Sequence, residues 1–340
     1  LAKKLKCKKT IARIRNPEFT EQLDFVKNEM GIDHIINPDL TTAIEIERYL
    51  LKSYNFYSDD FAKGKVSMVD FHIGNMNNLV GKKIMDLECL EGLLITAISR
   101  NGELIIPNGS TKLLEDDIIH IIGKGKNINI LGEKLKINMD KKRTKRAMIL
   151  GGGKIGYYLA QKLESSNVAV TIVEKDKERC EYLSERLSHT LIIHGDGTDV
   201  NLLEEENLAC QDAFIGVTGY DEQNLLMALV AKQMGVNKTI AKISRPNYIN
   251  IIDKLDIDVA LNPINITASD ILRFIRGGKV VSVSLLLGGQ GEVTEIIASK
   301  GFPIVGKPLS KLGLPKGIII GAIVHNSEVI IPNGNTIIHP

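Results

Sequence analysis

The chain has 340 residues, 44% of them hydrophobic and 25% charged, and its formal net charge at pH 7 is only +2. This composition is that of ordinary globular protein of two or three domains, and the small charge argues against a nucleic-acid-binding protein, which would need a clearly basic domain. No run of about 18 apolar residues marks a membrane span, and the four scattered cysteines, none in a CxxC pair, argue against a disulfide framework or a zinc site and fit a reducing cytosol.

The chain opens at Leu1 with the pattern of a helix and with neither an initiator Met nor a signal peptide. The sequence of residues 1–19 returns at residues 230–248, an offset of 229, with eight identities. Further segments match at an offset of 225: IDHIINP (32–38) with IDVALNP (257–263), VGKKIMDL (80–87) with VGKPLSKL (305–312), and AISRNGELIIPNGST (97–111) with AIVHNSEVIIPNGNT (322–336). Linked blocks in one register predict two copies of a two-domain unit.

Each copy is expected to be incomplete, so that the chain is a fragment. The counterpart of the glycine-rich loop at Gly151 would fall ahead of Leu1, and the strand predicted at Ile118–Ile122 has no counterpart before Pro340. We therefore predict four parts: the C-terminal part of a first Rossmann-like domain (1–55), a first small α+β domain (56–140), a second Rossmann-like domain (141–278) and a second, truncated small domain (279–340).

The block between residues 66 and 124 has the pattern of a small α+β module without a catalytic constellation. Its predicted elements are a strand (Val66–Ile73), a short helix (Leu79–Leu87), two hairpin strands (Leu93–Ser99 and Glu103–Ile106) around the turn Asn101-Gly102, and a last strand (Ile118–Ile122). A basic run at 141–146 follows. It is typical of a solvated linker, and contact with an anionic membrane surface is the alternative.

A glycine-rich loop follows the predicted strand Ala147–Leu150. Its sequence, Gly151-Gly152-Gly153-Lys154-Ile155-Gly156, is G-x-G-x-x-G with a strand before it and a helix after it, as this motif requires. The first glycine makes the tight turn, the second lets the backbone approach a pyrophosphate, and the third permits close helix–strand contact at a helix N-terminus that favours anions. The motif predicts a bound dinucleotide phosphate.

An acidic residue follows the next predicted strand, Val168–Val173. Glu174 lies 23 residues after Gly151, near the position at which a carboxylate accepts hydrogen bonds from the ribose hydroxyls. A carboxylate there would repel a 2′-phosphate, so we expect NAD(H) or an adenosine nucleotide and not NADP. The alternative interpretation is a glycine-rich turn beside an exposed glutamate.

Strands and helices then alternate, which predicts a parallel sheet with helices on both faces. The predicted strands are Thr190–His194, Ala213–Val217, Thr239–Ile243 and Val259–Leu261, and the predicted helices are Leu202–Asn207 and Asn224–Met234.

Ligands of such sheets lie at the carboxyl ends of the strands. That rule brings Glu174, Asp196, Thr218 and Lys242 around one crevice. Asp196 and Thr218 are equally compatible with ordinary turn or cap residues, and Lys242 with a surface side chain on an edge strand.

The sequence shows no motif of catalytic residues. A dehydrogenase needs a proton donor or acceptor near the nicotinamide, but the seven histidines have no ligand spacing, and His194, ahead of Gly195, has no evident partner. A small module, and no substrate-sized catalytic domain, follows the Rossmann unit. We therefore predict binding without catalysis, with an NAD-dependent oxidoreductase as the alternative from another class.

The order of glycine-loop domain and small domain, repeated in one chain, resembles the TrkA family of regulatory proteins, with its TrkA-N (RCK N-terminal) and TrkA-C (RCK C-terminal) domains. The segments that carry this resemblance are VEKDKER, IIHGDGTD, VTGYDEQN, and IARIRNPEF with its repeat IAKISRPNY. The fold it implies is α/β, with Rossmann-type parallel-sheet domains alternating with small α+β domains in two tandem copies.

The resemblance implies a nucleotide, NAD(H) or alternatively ATP or ADP, at the loop 151–156, Glu174, Asp196, Thr218, Gly219 and Lys242. Arg13, at the Lys242 position of the first copy, could then touch a nucleotide as well. It also implies no enzymatic activity and no metal site. The implied assembly is a homotetramer on the inner face of the cell membrane that gates a TrkH- or TrkG-type potassium transporter. The cytosolic part of a potassium channel or antiporter remains an alternative.

Overall fold

The computed structural model describes residues 2, 3, 5–15, 23–51, 58–75, 79–87, 90–134, 143–245, 248, 255 and 257–340. They belong to two units, one of Leu1–Asn55 with Lys141–Ile275 and the other of Phe56–Asp140 with Arg276–Pro340. Each unit therefore joins two stretches that are distant in sequence.

The first stretch contains β1 (Ile11–Arg13), α1 (Leu23–Met30), β2 (His34–Ile36) and α2 (Pro38–Leu51). β1 and β2 pair in parallel as a two-stranded sheet. The helix expected at the start of the chain is wrong, because the described residues there form turns, in which Leu5 N–H donates to the Ala2 carbonyl and Lys6 N–H to the Lys3 carbonyl. Lys6 has a left-handed φ of 63°, which ends any helical repeat.

The second stretch contains β3 (Ser58–Phe61), β4 (Val66–His72), β5 (Leu93–Arg100), β6 (Glu103–Ile105), β7 (Ile118–Gly123) and α3 (Gly125–Lys134). The strands form an antiparallel sheet of order β3-β4-β7-β5-β6. Ile128 and Leu131 of α3 pack in the same core as Val69, Ile95 and other apolar residues of this sheet.

The helix predicted over Leu79–Leu87 is also wrong. Only a three-residue 3₁₀ turn, Ile84–Asp86, forms there. Gly81 has a φ of +79°, and Lys83 forms an isolated antiparallel bridge with Lys112. Both features hold the backbone out of the helical conformation, although the apolar spacing fits a helix.

The third stretch is a doubly wound α/β domain. Its elements are β8 (Arg146–Leu150), α4 (Lys154–Ser165), β9 (Ala169–Glu174), α5 (Lys177–Ser184), β10 (Thr190–His194), α6 (Val200–Glu205), β11 (Ala213–Gly216), α7 (Asp221–Gln233), β12 (Lys238–Lys242), β13 (Val259–Leu261) and α8 (Pro263–Arg276). All six strands are parallel, in the order β10-β9-β8-β11-β12-β13. The strand order reverses between β8 and β11, the point at which such sheets bind ligands.

Two helices of this domain begin earlier than the sequence predicted. α6 begins at Val200, because the Asp199 side chain accepts the Asn201 N–H and caps it. α7 begins at Asp221, a turn ahead of the predicted Asn224. The last stretch contains β14 (Val280–Leu286), β15 (Gly291–Ile296), β16 (Ile323–His325) and β17 (Glu328–Ile330), which form two antiparallel pairs.

Helix α2 packs against α4. Its residues Ala43, Ile46 and Leu50, spaced for one helical face, are fully buried. Asn37 caps its start by accepting the Leu40 N–H, and the Asn37 amide donates to the Tyr158 hydroxyl of α4 at 3.0 Å. The first stretch therefore packs on the helix that follows the glycine loop.

Residues that the repeat aligns make corresponding contacts. Lys3 pairs with Asp33 at 2.7 Å, and Lys232 pairs with Asp258 at 2.6 Å. Lys9 Nζ donates to the Ile275 carbonyl of α8 at 2.8 Å, and Lys238 Nζ donates to the Leu50 carbonyl of α2 at 3.1 Å. Each of these last two lysines thus stabilises the C-terminus of the helix in the opposite stretch.

Candidate functional site

The glycine loop lies between β8 and α4, at the point of strand-order reversal. Gly151 has a φ of +103°, which makes the tight turn and favours glycine. A Cβ on Gly156 would lie 2.1 Å from the Gly151 carbonyl oxygen, whereas one on Gly153 would meet no heavy atom within 4 Å. The third glycine therefore serves close helix–strand packing, and the second borders open space at the N-terminus of α4.

The two non-glycine residues of the loop differ in exposure. Lys154 begins α4 and is exposed, and Ile155 is buried. Among the described residues, no protein acceptor is found for the N–H groups of Gly153 and Lys154. The first N–H groups of a helix have no intrahelical acceptor, and with the helix dipole they favour an anion.

Glu174 ends β9 with its carboxylate turned toward the loop. One oxygen accepts the Gly152 N–H at 2.6 Å and the other accepts the Asp176 N–H at 2.9 Å. Two cations that follow β9 are engaged elsewhere, because Lys175 pairs with Asp196 and Arg179 donates to glycine-loop carbonyls. The Glu174 carboxylate lies where a ribose 2′-substituent would be recognised.

Asp196 follows β10 and makes both a charge pair and a turn. It accepts the Lys175 ammonium at 2.7 Å and the N–H and hydroxyl of Thr198. Lys175, and secondarily Thr198, lower the pKa of Asp196 to about 2. The turn role that the sequence left open is present, together with a charge pair at the strand ends that the sequence did not predict.

Thr218 follows β11 and lies against the glycine loop, since a Cβ on Gly151 would be 3.1 Å from the Thr218 nitrogen. Its N–H and hydroxyl both donate to the side-chain oxygen of Asn224, at 2.9 and 2.8 Å. Gly219 next to it has no heavy atom within 4 Å of a Cβ position. Asn224 therefore fixes the loop after β11 through Thr218, while Gly219 of this loop borders open space.

Lys242, at the end of β12, is buried and not the surface side chain that the sequence allowed. β12 lies between β11 and β13. The Lys242 ammonium donates to the Thr218 carbonyl at 2.8 Å and lies 3.8 Å from Asp221. Burial lowers the pKa of Lys242, and Asp221 partly opposes this shift. Its charge therefore lies under the crevice, tied to the loop after β11.

Arg13 does not share this sheet. It ends β1 in the separate two-stranded sheet and is exposed. The residues of the first stretch that influence the crevice are Arg15 and Asp39, whose ion pair at 2.7 Å lies near enough for both charges to act on the pKa of Lys242. Aligning the first copy with the second does not identify Arg15 and Asp39, because they act on Lys242, which belongs to another stretch of the chain.

Sequence reasoning also missed Asn224 and Arg179. Asn224 is fully buried, and its amide donates to the Lys242 carbonyl at 2.9 Å, which ties the loop after β11 to β12. A buried asparagine in the first turns of a helix after a strand-end threonine was the available signal. Arg179 lies one turn into the helix after Glu174, and no local pattern marks it.

The polar groups of the candidate site include backbone N–H groups, the Glu174 carboxylate and a histidine that contacts backbone. His194 Nε2 lies 3.1 Å from the Lys175 carbonyl oxygen and so contacts backbone. Within the described part of the chain, no group of three His, Cys, Asp or Glu side chains could hold a metal ion. The donor set fits a nucleotide: helix N–H groups for phosphate, a carboxylate for ribose hydroxyls, and open space beside Gly153.

No helix among the described residues is both long enough and apolar enough to cross a lipid bilayer. The TrkA-N domain model matches residues 147–263, and the TrkA-C domain model matches residues 68–136 and 293–340. Both fall on the α/β and small α+β parts of the fold described above.

Curated relatives match nearly the whole length of the chain. A Trk system potassium uptake protein TrkA homolog of Methanosarcina mazei is 37% identical over 97% of this chain and 73% of its own length. The TrkA homolog of Archaeoglobus fulgidus is 34% identical over 99% of this chain and 76% of its own. The Haemophilus influenzae TrkA is 36% identical over 96% of this chain and 73% of its own.

Among solved structures, a GsuK channel matches with a TM-score of 0.52 at 17% identity, over 97% of this chain and 58% of the channel chain. The GsuK channel bound to NAD matches with a TM-score of 0.50 at 18% identity over the same shares. These likenesses support the fold alone. The curated relatives are named as potassium uptake proteins and not as enzymes, in agreement with the prediction of a protein without catalysis. The chain belongs to the TrkA family of Trk system potassium uptake proteins.

Proposed function

We propose that the chain is a nucleotide-binding regulatory subunit that controls potassium uptake through a membrane transporter. One observation carries the nucleotide part: the Glu174 carboxylate accepts the Gly152 N–H at 2.6 Å, at the strand-order reversal of a six-stranded parallel sheet. A carboxylate so placed can exchange this N–H for ribose hydroxyls, while the helix N-terminus receives the phosphates. The family relatives supply the connection to potassium uptake.

The ligand we propose is NAD(H), with ATP or ADP as the alternative. The residues that would hold it are the loop 151–156, Glu174, Asp196, Thr218 with Gly219, and Lys242. A solved structure of similar fold is described as bound to NAD. All these nucleotides share the adenosine half, and the negative charge of Glu174 disfavours a 2′-phosphate.

Calorimetry on the full chain with NAD, NADH, ATP, ADP and NADPH tests this proposal. Saturable binding of NADH or ATP, with NADPH at least about tenfold weaker, is expected because a 2′-phosphate would be repelled by the Glu174 carboxylate. Equal affinity for NADPH would contradict the ribose argument. Absence of binding to all five would contradict the nucleotide site.

We also propose that the chain consists of two tandem copies of a TrkA-N and TrkA-C pair, with parts at 1–55, 56–140, 141–278 and 279–340. The paired contacts support this proposal, since Lys3–Asp33 corresponds to Lys232–Asp258 in the repeat register. The two matches of the TrkA-C model support it as well. Arg13 is the proposed counterpart of Lys242, with a nucleotide contact of its own in the first copy.

The partner we propose is a TrkH- or TrkG-type integral-membrane potassium transporter, contacted from the cytoplasmic face by a homotetramer. Nucleotides would then change potassium flux by binding one shape of the assembly more tightly than another. Light scattering after gel filtration tests the tetramer. Potassium flux into vesicles that hold the transporter, measured with and without this chain and with NADH or ATP, tests the gating; an unchanged flux would contradict it.

A further inference from the structure

Arg179 lies on the first turns of α5, directly behind the glycine loop. Asp176 caps this helix by accepting the Arg179 N–H at 2.8 Å, which fixes where the helix starts. One turn further on, Leu183 packs so closely on the loop that a Cβ on Gly152 would lie 2.4 Å from its Cδ1. Positions four apart lie on one helix face, so the face that carries Leu183 also carries Arg179 toward the loop.

The Arg179 guanidinium donates hydrogen bonds to two loop carbonyls. Its Nε lies 2.6 Å from the Gly152 oxygen and its Nη2 lies 3.3 Å from the Gly153 oxygen. The Gly153 oxygen also accepts the Tyr157 N–H at 2.9 Å, so the bond to Gly152 is the stronger tie. The guanidinium carbon lies 4.3 Å from the centre of the Tyr182 ring, which holds the side chain in place.

These bonds orient the peptide planes of the loop. In a planar trans peptide the C=O and the N–H point in opposite directions. A guanidinium that holds the Gly152 carbonyl on the α5 side therefore turns the Gly153 N–H to the other side. The weaker bond to the Gly153 carbonyl has the same effect on the Lys154 N–H. Both N–H groups belong to the start of α4, where a phosphate would accept them.

The Arg179 hydrogen bonds matter because the carbonyls they hold belong to glycines. A glycine peptide turns over more easily than any other, because no Cβ restricts φ and ψ. Gly152 and Gly153 are consecutive glycines, and without an external tie their shared peptide would sample orientations in which the N–H faces away from a phosphate. A charged donor at 2.6 Å is the kind of strong hydrogen bond that can select one orientation.

We propose that Arg179 is the positioning residue of the phosphate loop: it holds the Gly152 carbonyl from behind and so presents the Gly153 and Lys154 N–H groups to the nucleotide phosphates. This rests on the proposed nucleotide function. Arg179 acts through the backbone and does not recognise the base or ribose, so its effect is confined to ligands that carry phosphate.

The chain offers a matched control. The guanidinium carbon of Arg186 lies 3.8 Å from the centre of the same Tyr182 ring. Among the described residues, the hydrogen bonds of Arg186 go to the Tyr182 carbonyl and to Glu185, away from the glycine loop. Replacing either arginine by methionine removes one positive charge next to Tyr182, but only one of the two changes removes the tie to the loop.

The test measures two probes on the full chain as wild type, Arg179→Met and Arg186→Met. NADH binding is measured by calorimetry, with ADP in its place if ADP binds more tightly, and adenosine binding by ligand-observed NMR. We expect Arg179→Met to weaken the phosphate-containing ligand about tenfold or more and to leave adenosine within about twofold, with Arg186→Met leaving both within about twofold. If Arg179→Met does not fold, Arg179→Lys, which keeps the charge but lacks the planar fork, is expected to show the same split.

Three results would overturn the proposal: unchanged NADH affinity in the Arg179 variant, equal weakening of NADH and adenosine, or an equal loss in the Arg186 variant. The second would mean a general structural role, and the third an effect of net charge. A wild-type chain that binds neither NADH nor ADP would instead contradict the proposed function itself, so the two failures are distinguishable.

Discussion

Two glycines of the loop should respond in opposite ways to the same added methyl group. At Gly156 a Cβ would lie 2.1 Å from the Gly151 carbonyl oxygen and 3.2 Å from its carbon, both rigid backbone atoms. At Gly153 it would meet no heavy atom within 4 Å, and its φ of −61° suits any L residue. We therefore expect Gly156→Ala to damage the fold and Gly153→Ala to damage only binding.

The size of the first effect follows from the overlap. Overpacking a close contact costs typically 1–3 kcal/mol, and a contact with backbone that cannot rotate away belongs at the upper end, about 3 kcal/mol. For a unit of this size each kcal/mol lowers the melting temperature by about 2–4 °C, so Gly156→Ala should melt about 6–12 °C below wild type. Gly153→Ala changes only a helix N-cap and should cost less than about 1 kcal/mol.

The assay combines thermal unfolding followed by circular dichroism with NADH calorimetry on the same samples. Gly153→Ala should keep its melting temperature and lose NADH affinity on the order of tenfold, because its methyl enters the space beside the helix N-terminus. Equal melting temperatures for Gly156→Ala and wild type would refute the close contact of α4 with β8. Undiminished NADH affinity in Gly153→Ala would refute the phosphate path along this glycine.

Three further predictions concern other parts of the first unit. Glu174→Lys should weaken NADH binding by about tenfold and reduce the ratio of NADH affinity to NADPH affinity, since a cation replaces the ribose acceptor. Calorimetry with both ligands would contradict this if the ratio stayed constant. Asn224→Ala should lower the free energy of unfolding by about 3 kcal/mol, because it removes the partner of the half-buried Thr218 N–H and of the buried Lys242 carbonyl. The half-buried neighbour Gln223→Ala should stay within about 0.5 kcal/mol in urea titrations. Burial lowers the pKa of Lys238 from its ordinary value of 10.5 to about 8, so between these values the unfolded chain binds the proton that the folded chain has lost. Stability should therefore rise with pH through that window by about 3 kcal/mol relative to Lys238→Met; parallel pH profiles in chemical denaturation would be the contrary outcome.

Much of the proposed nucleotide site could be predicted from residues close together in sequence. The loop 151–156 and Glu174 follow a motif whose physics is local, a turn, a helix N-terminus and the end of the next strand. The structure brings Asp196 and Thr218 to the same edge of the sheet, because carboxyl ends of parallel strands meet there. The turn roles left open for them are also present.

Predictions that needed distant contacts were wrong or absent. The helix predicted over Leu79–Leu87 does not form, because a left-handed Gly81 and the bridge to Lys112 hold that segment open. Lys242 could have been a surface residue, since nothing local shows that β13 pairs with β12 and buries it. The ties made by Asn224 and Arg179 join residues that only the fold brings together.

The sequence by itself determined the glycine loop, its acidic partner, the alternation that builds a parallel sheet, and the repeat register. These are periodicities and spacings within a few turns or strands, and backbone sterics convert them directly into structure. Only the tertiary structure decided which lysine is buried, which helix covers α4, and that the Arg15–Asp39 pair lies near Lys242. Burial and charge depend on neighbours tens or hundreds of residues away, and packing free energy, not local propensity, chooses those neighbours.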